Sequence, residues 1–124
     1  TCTIDCANGA NCNNGVVCPA GWNCAVKCNT ADSCRNGINC LNAESCDIQC
    51  TGLRSCRNIS CGPGSCNVNC AGSQSCRGVS CGQSCACDVK CATLAFCDNV
   101  VCTAFQCDLG RDCSSEVPGC DTCP

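Results

Sequence analysis

Histidine, methionine and tyrosine are missing from this chain of 124 residues, and its aromatic side chains are two Phe and one Trp. Without His it lacks the side chain most used as a general base near neutral pH. Without Met, Thr1 is not a translation start, so either a targeting segment has been removed or the chain is part of a longer protein. So few aromatics cannot fill a broad core. No apolar run approaches the ~20 residues of a membrane span. Charge is sparse, with a formal net of −3, which argues against a nucleic-acid partner.

Cysteine is abundant instead: there are 25, far above the level that marks a disulfide scaffold. Thiols at this density would be reduced in cytosol, so the expected setting is oxidising: secreted, cell-surface or lumenal.

The cysteines are periodic. The word CDIQC at 46–50 reads cysteine, polar, β-branched, polar, cysteine, and it recurs as CTIDC at 2–6, CAVKC at 24–28, CNVNC at 66–70 and CDVKC at 87–91. A decayed copy begins at Cys107, and the steps between first cysteines are 22, 22, 20, 21 and 20 residues. In an extended chain Cys46, Ile48 and Cys50 share one face, and Asp47 and Gln49 the other. Val16, Ile38, Ile59, Val79 and Val100 each lie two residues before the fourth cysteine of their repeat. Each repeat therefore predicts two short strands, separated by turns rich in Gly, Asn, Ser and Ala.

A repeat of 20–22 residues with no helical period implies a solenoid. The expected fold is all-β: a disulfide-rich β-solenoid, or β-helix, of about five full coils over 1–106, with a degenerate repeat or C-terminal cap over 107–124. Stacked coils, ~4.8 Å apart, turn equivalent residues into columns. Counted from the third cysteine, one column reads Asn13, Arg35, Arg57, Arg77, Asp98, and the next Asn14, Asn36, Asn58, Gly78, Asn99. Asparagine at a turn bonds from coil to coil and tolerates left-handed backbone.

Bridges are expected within coils. First and second cysteines lie ~13 Å apart on one strand, too far to bond. Equivalent cysteines of adjacent coils have Cβ atoms ~4.8 Å apart, where disulfides prefer about 3.8 Å. This leaves first to fourth and second to third: Cys2–Cys18 with Cys6–Cys12, Cys24–Cys40 with Cys28–Cys34, Cys46–Cys61 with Cys50–Cys56, Cys66–Cys81 with Cys70–Cys76, and Cys87–Cys102 with Cys91–Cys97. The remainder, Cys85, Cys107, Cys113, Cys120 and Cys123, is odd in number, so one of the five is expected to be free or bonded to another molecule.

Arg35, Arg57 and Arg77 place like charges about 5 Å apart, which favours an anion over the column: sulfate, carboxylate or an acidic glycan. Three solvated guanidiniums are the simpler reading, and Asp32, Glu44 and Asp47 are near enough in sequence to offset them. Asn58-Ile59-Ser60 fits the N-glycosylation sequon, which makes Asn58 a candidate acceptor. Metal clusters need many close thiol pairs; there is one C-x-C, at 85–87, and one C-x-x-C, at 120–123, so structural disulfides are the better account. No nucleophile motif or phosphate loop is present, and a narrow solenoid has no room for a deep pocket. Neither catalysis, a metal nor a cofactor is expected.

In its tight coils, cysteine core and runs of Asn, Ser, Ala, Gly and Thr, the stretch 2–106 resembles the small disulfide-stapled β-solenoids, of which the hyperactive insect antifreeze proteins are the best-known family. The family's mark, a repeated Thr-x-Thr, occurs once here, as Thr1-Cys2-Thr3; the equivalent pairs are Asn23 and Ala25, Ser45 and Asp47, Ser65 and Asn67, then Ala86 and Asp88. The chain also looks like cysteine-rich repeat proteins of bacterial and algal surfaces. The function expected is that of an extracellular structural protein, a unit or segment of a self-associating fibre or surface layer, with end-to-end self-association and glycans as candidate partners. The alternatives are an ice-binding protein using an Asn/Ser/Thr face and a metal-sequestering protein.

Overall fold

The computed structural model describes residues 1–6, 12–82 and 84–102. The expected cap at 107–124 and Cys107, Cys113, Cys120 and Cys123 lie outside them. Ten strands alternate between two sheets. The first sheet stacks β1 (Cys2–Asp5), β3 (Asn23–Cys28), β5 (Ser45–Cys50), β7 (Ser65–Cys70) and β9 (Ala86–Cys91). The second stacks β2 (Val16–Val17), β4 (Ile38–Cys40), β6 (Arg57–Cys61), β8 (Arg77–Ser80) and β10 (Val100–Val101). Every pairing is parallel. The molecule is a small disulfide-rich β-solenoid, and the strands from β1 to β9 enclose four complete turns.

The cysteine word sets the register. Ile4, Val26, Ile48, Val68 and Val89 stand over one another, as do Val16, Ile38, Ile59, Val79 and Val100. Val26, Ile48, Val68 and Val89 are fully buried and face the equally buried Ile38, Ile59 and Val79. Parallel sheets are usually covered on both faces by crossover helices. Here the strand of the other sheet is the crossover, so one face of each sheet stays in water. That face keeps mostly polar side chains, with Val17 and Val101 exposed on the two end strands of the second sheet, and the inner one keeps Ile, Val and Cys.

Nine disulfides join described residues to one another, and they correct the expected pairing. Second and third cysteines are bonded as expected: Cys6–Cys12, Cys28–Cys34, Cys50–Cys56, Cys70–Cys76 and Cys91–Cys97. First and fourth cysteines of one coil are not bonded. The fourth instead bonds the first of the next coil: Cys18–Cys24, Cys40–Cys46, Cys61–Cys66 and Cys81–Cys87. The columns are those expected, displaced by one rung. The physical reason is the turn length: only 5 or 6 residues separate these cysteines, and the turn brings their Cα atoms to 5.9–6.3 Å, within disulfide range. Closing so short a loop constrains the unfolded chain by roughly 2 kcal/mol per bridge in the chain-entropy account. Cys2, on the outermost strand of its sheet, is a free thiol. Of the five cysteines expected to hold the odd thiol, Cys85 is disulfide-bonded and the other four lie outside the described residues; among the described residues the free thiol is Cys2.

The varying step has a local cause. In the first two coils a residue is added after the third cysteine, and Gly15 (φ 88°) and Gly37 (φ 104°) take the left-handed position held by Asn58 (φ 54°), Gly78 (φ 84°) and Asn99 (φ 58°) later on. The asparagine column thus splits. Asn36 donates its side-chain amide to the Asn13 carbonyl, a coil-to-coil bond as expected, while Asn58 and Asn99 supply left-handed backbone.

Candidate anion-binding groove

The turn from the first sheet to the second repeats most strictly. It is closed by a disulfide six residues apart in every coil. Asp32, Arg54 and Gln74 occupy its left-handed position, at φ 61°, 55° and 58°. Non-glycine residues enter that region at a cost, which surrounding structure must offset. Here each donates its N–H to the coil above: Asp32 to Leu53 O at 2.8 Å, Arg54 to Ser73 O at 2.9 Å, Gln74 to Leu94 O at 2.8 Å. Behind them Ser33, Ser55 and Ser75 are buried and donate their hydroxyls to the carbonyls of Thr30, Gly52 and Gly72. Gly52 and Gly72 let the coils touch, since a Cβ on Gly72 would collide with the Gly52 carbonyl.

This scaffold holds two rows of side chains: Asp32, Arg54 and Gln74 in one, Arg35, Arg57 and Arg77 in the other. Between them lies a solvent-open hollow of about 120 Å³, closed at one end by Phe96. Arg57 and Arg77 are register partners on adjacent strands, and a second hollow beside Asn58 and Asp98 leaves them as a ridge between two grooves. Arg54 grips Asp32 with two bonds, Nε to Oδ1 at 2.9 Å and Nη2 to Oδ2 at 3.0 Å. That hydrogen bond, reinforced by the charges of Arg54, Arg35 and Arg57, holds the Asp32 carboxyl below its usual pKa; the same bond raises Arg54. The Arg77 guanidinium lies over the Phe96 ring, 4.5 Å from its centroid. Among the described residues neither Arg35, Arg57 nor Arg77 has a carboxylate within ion-pair distance.

The three arginines named from sequence thus line one hollow. Of the three acids near them in sequence, only Asp32 joins them. Asp47 is on the outer face of β5, accepting from Gln49 Nε2 at 3.1 Å, and Glu44 is in the opposite turn. Arg54, Gln74 and Phe96 were missed. Arg54 was detectable, since it follows Asp32 by 22 residues, the coil step there. Asn58 is exposed on the ridge beside Arg57, and its side-chain oxygen leans over Gly78.

Sulfurs also cluster, for example Cys18, Cys24 and Cys46, all within 4.8 Å of one another. Every cysteine in these clusters is in a disulfide, so none offers a thiolate to a metal while oxidised. No known protein family, curated protein or solved structure matches the chain. No helix of the described residues is long and apolar enough to cross a membrane.

Proposed function

We propose that this is an extracellular, non-catalytic structural protein whose rod associates coil upon coil, as in a fibre or surface layer. The observation that carries the reading is the state of the first coil. Cys2 is free in a column whose members Cys24, Cys46, Cys66 and Cys87 each bond the coil below. β1 and β2 are the outermost strands of their sheets. Cys6 donates its N–H to Lys27 O, on the β3 side. The alternation of a strand then turns the Thr3 and Asp5 N–H groups to the open edge, where another coil can pair. That coil comes from a second copy or from a preceding region of the same protein. The disulfides fit an oxidising environment, which supports secretion.

Sedimentation velocity over a concentration series tests this. Assembly should grow with concentration and weaken in Thr3→Pro, which removes a donor at the open edge and none toward β3. A strict monomer at high concentration would refute it.

Ice binding is the second reading, favoured by one observation. The outward column of the second sheet, Val17, Asn39, Ser60, Ser80 and Val101, is in register and carries no charge. Thermal hysteresis at micromolar protein would support it, and its absence at high concentration would remove it.

A further inference from the structure

We propose that the arginine groove binds an extended acidic polysaccharide, one carrying carboxylate or sulfate groups along its chain. Four guanidiniums meet a single carboxylate there, in a protein whose net charge is negative. The excess is therefore local and ordered. Two members are already oriented, Arg54 by its grip on Asp32 and Arg77 by stacking on Phe96. Planar guanidiniums bind carboxylate and sulfate through paired N–H groups, and their orientation lowers the entropy lost on binding.

The shape selects a chain over a small ligand. A hollow of about 120 Å³ is well below the ~300 Å³ of a site that engulfs a metabolite. It runs across coils, so its cations repeat at the ~4.8 Å strand spacing, comparable to the length of one sugar unit in an extended glycan. A side carboxylate or sulfate fits between the rows while the glycan follows the rod. Single-stranded nucleic acid is the poorer fit, because it needs free aromatic platforms for its bases, and Phe96 already carries Arg77. Asp32 acts as an internal competitor, occupying Arg54 until a stronger anion displaces it.

The test is calorimetric titration of the oxidised protein with polygalacturonate, dextran sulfate, neutral dextran and oligothymidylate, at low and at physiological salt. Binding to polygalacturonate, dextran sulfate or both, weakening with salt, is expected, and the two arms distinguish carboxylate from sulfate. Arg57→Gln with Arg77→Gln should weaken binding by roughly tenfold or more, and Asp32→Asn should strengthen it several-fold. Lys27→Gln with Lys90→Gln removes the same charge from the outer face of the first sheet and should change little. A non-reducing peptide map shows whether each variant keeps its bridges; if the double arginine variant does not, Arg35→Gln replaces it. No binding to either acidic polysaccharide, equal losses from the arginine and lysine variants, or preference for oligothymidylate would overturn the proposal. Titration in the Thr3→Pro background separates this result from the fate of end-to-end association.

Discussion

The two turns of each coil are built from the same parts and end differently. Both are closed by disulfides between cysteines five or six residues apart. In the turn leaving the first sheet the separation is 6 in every coil, and left-handed residues, buried serines and arginines form columns through the three middle coils, ending at Ala95, Phe96 and Asp98. In the opposite turn the separation changes to 5 at Cys61–Cys66 and returns to 6 at Cys81–Cys87. Its contents change with it, from Pro19 and Trp22 to Leu41 and Ala43 to Gly62 and Gly64. A constant turn carries the same direction from rung to rung, so isolated charges become a groove. A turn of changing length closes the coil equally well and still bonds coil to coil, Gly21 N–H to Asn42 O and Cys85 N–H to Pro63 O, but its side chains change type from rung to rung. In a solenoid, register converts sequence into a surface.

The largest effect should come from what the two turns share. Ile48→Asp would bury an unpaired charge between disulfides and should abolish oxidative folding, while Gln49→Asp, on the outer face, should cost no more than about 1 kcal/mol. Yield of fully oxidised monomer and a denaturation curve measure both, and equal effects would show the strand phase to be wrong.

A second pair separates a tight contact between coils from an open position. Gly72→Ala drives a Cβ into the Gly52 backbone in the constant turn, whereas Gly82→Ala, in the variable turn, meets nothing closer than Ser80 Oγ at 4.0 Å. The first should destabilise by about 2 kcal/mol or more and the second by less than about 0.5 kcal/mol. Similar losses at the two sites would show that Gly72 does not hold the coils in contact.

The smallest effect is electrostatic. Asp32 is held below the usual carboxylate pKa by the Arg54 hydrogen bond, with Arg35 and Arg57 adding to it. A depressed folded-state value means the contribution is present above the usual carboxylate range and is lost as pH falls through the folded value. In an NMR titration Asp32 should titrate below the usual carboxylate range, and Arg54→Gln should bring it back toward that range. An Asp32 that already titrates in the usual range would mean that Arg54 does not hold it.

The strands were legible in the sequence because Cys-x-(Ile/Val)-x-Cys states both their period and their inward face. The second-to-third bridges followed from the same word. The rung of the remaining bridges did not, because the columns of Cys18 and Cys2 are also those of Cys18 and Cys24, and cysteine columns alone do not say where the chain climbs. The gap of 6 residues from Cys18 to Cys24, against 16 from Cys2 to Cys18, held the answer. The arginine column was visible by counting from the third cysteine. Its opposite wall was hidden, since Asp32, Arg54 and Gln74 share a backbone conformation and no chemical type. Ser33, Ser55 and Ser75 read as turn residues because a buried hydroxyl bonded to its own turn has the same sequence signature as an exposed one.

The central claim is that one turn of each coil is stapled within the coil and the other staples it to the next. Peptide mapping of the oxidised protein without reduction, after alkylation of free thiols, tests it most directly. The account predicts peptides joined through Cys40–Cys46 and Cys61–Cys66, with Cys2 alkylated in the unassembled chain. Peptides joined through Cys46 and Cys61, with Cys2 bonded to Cys18, would contradict it.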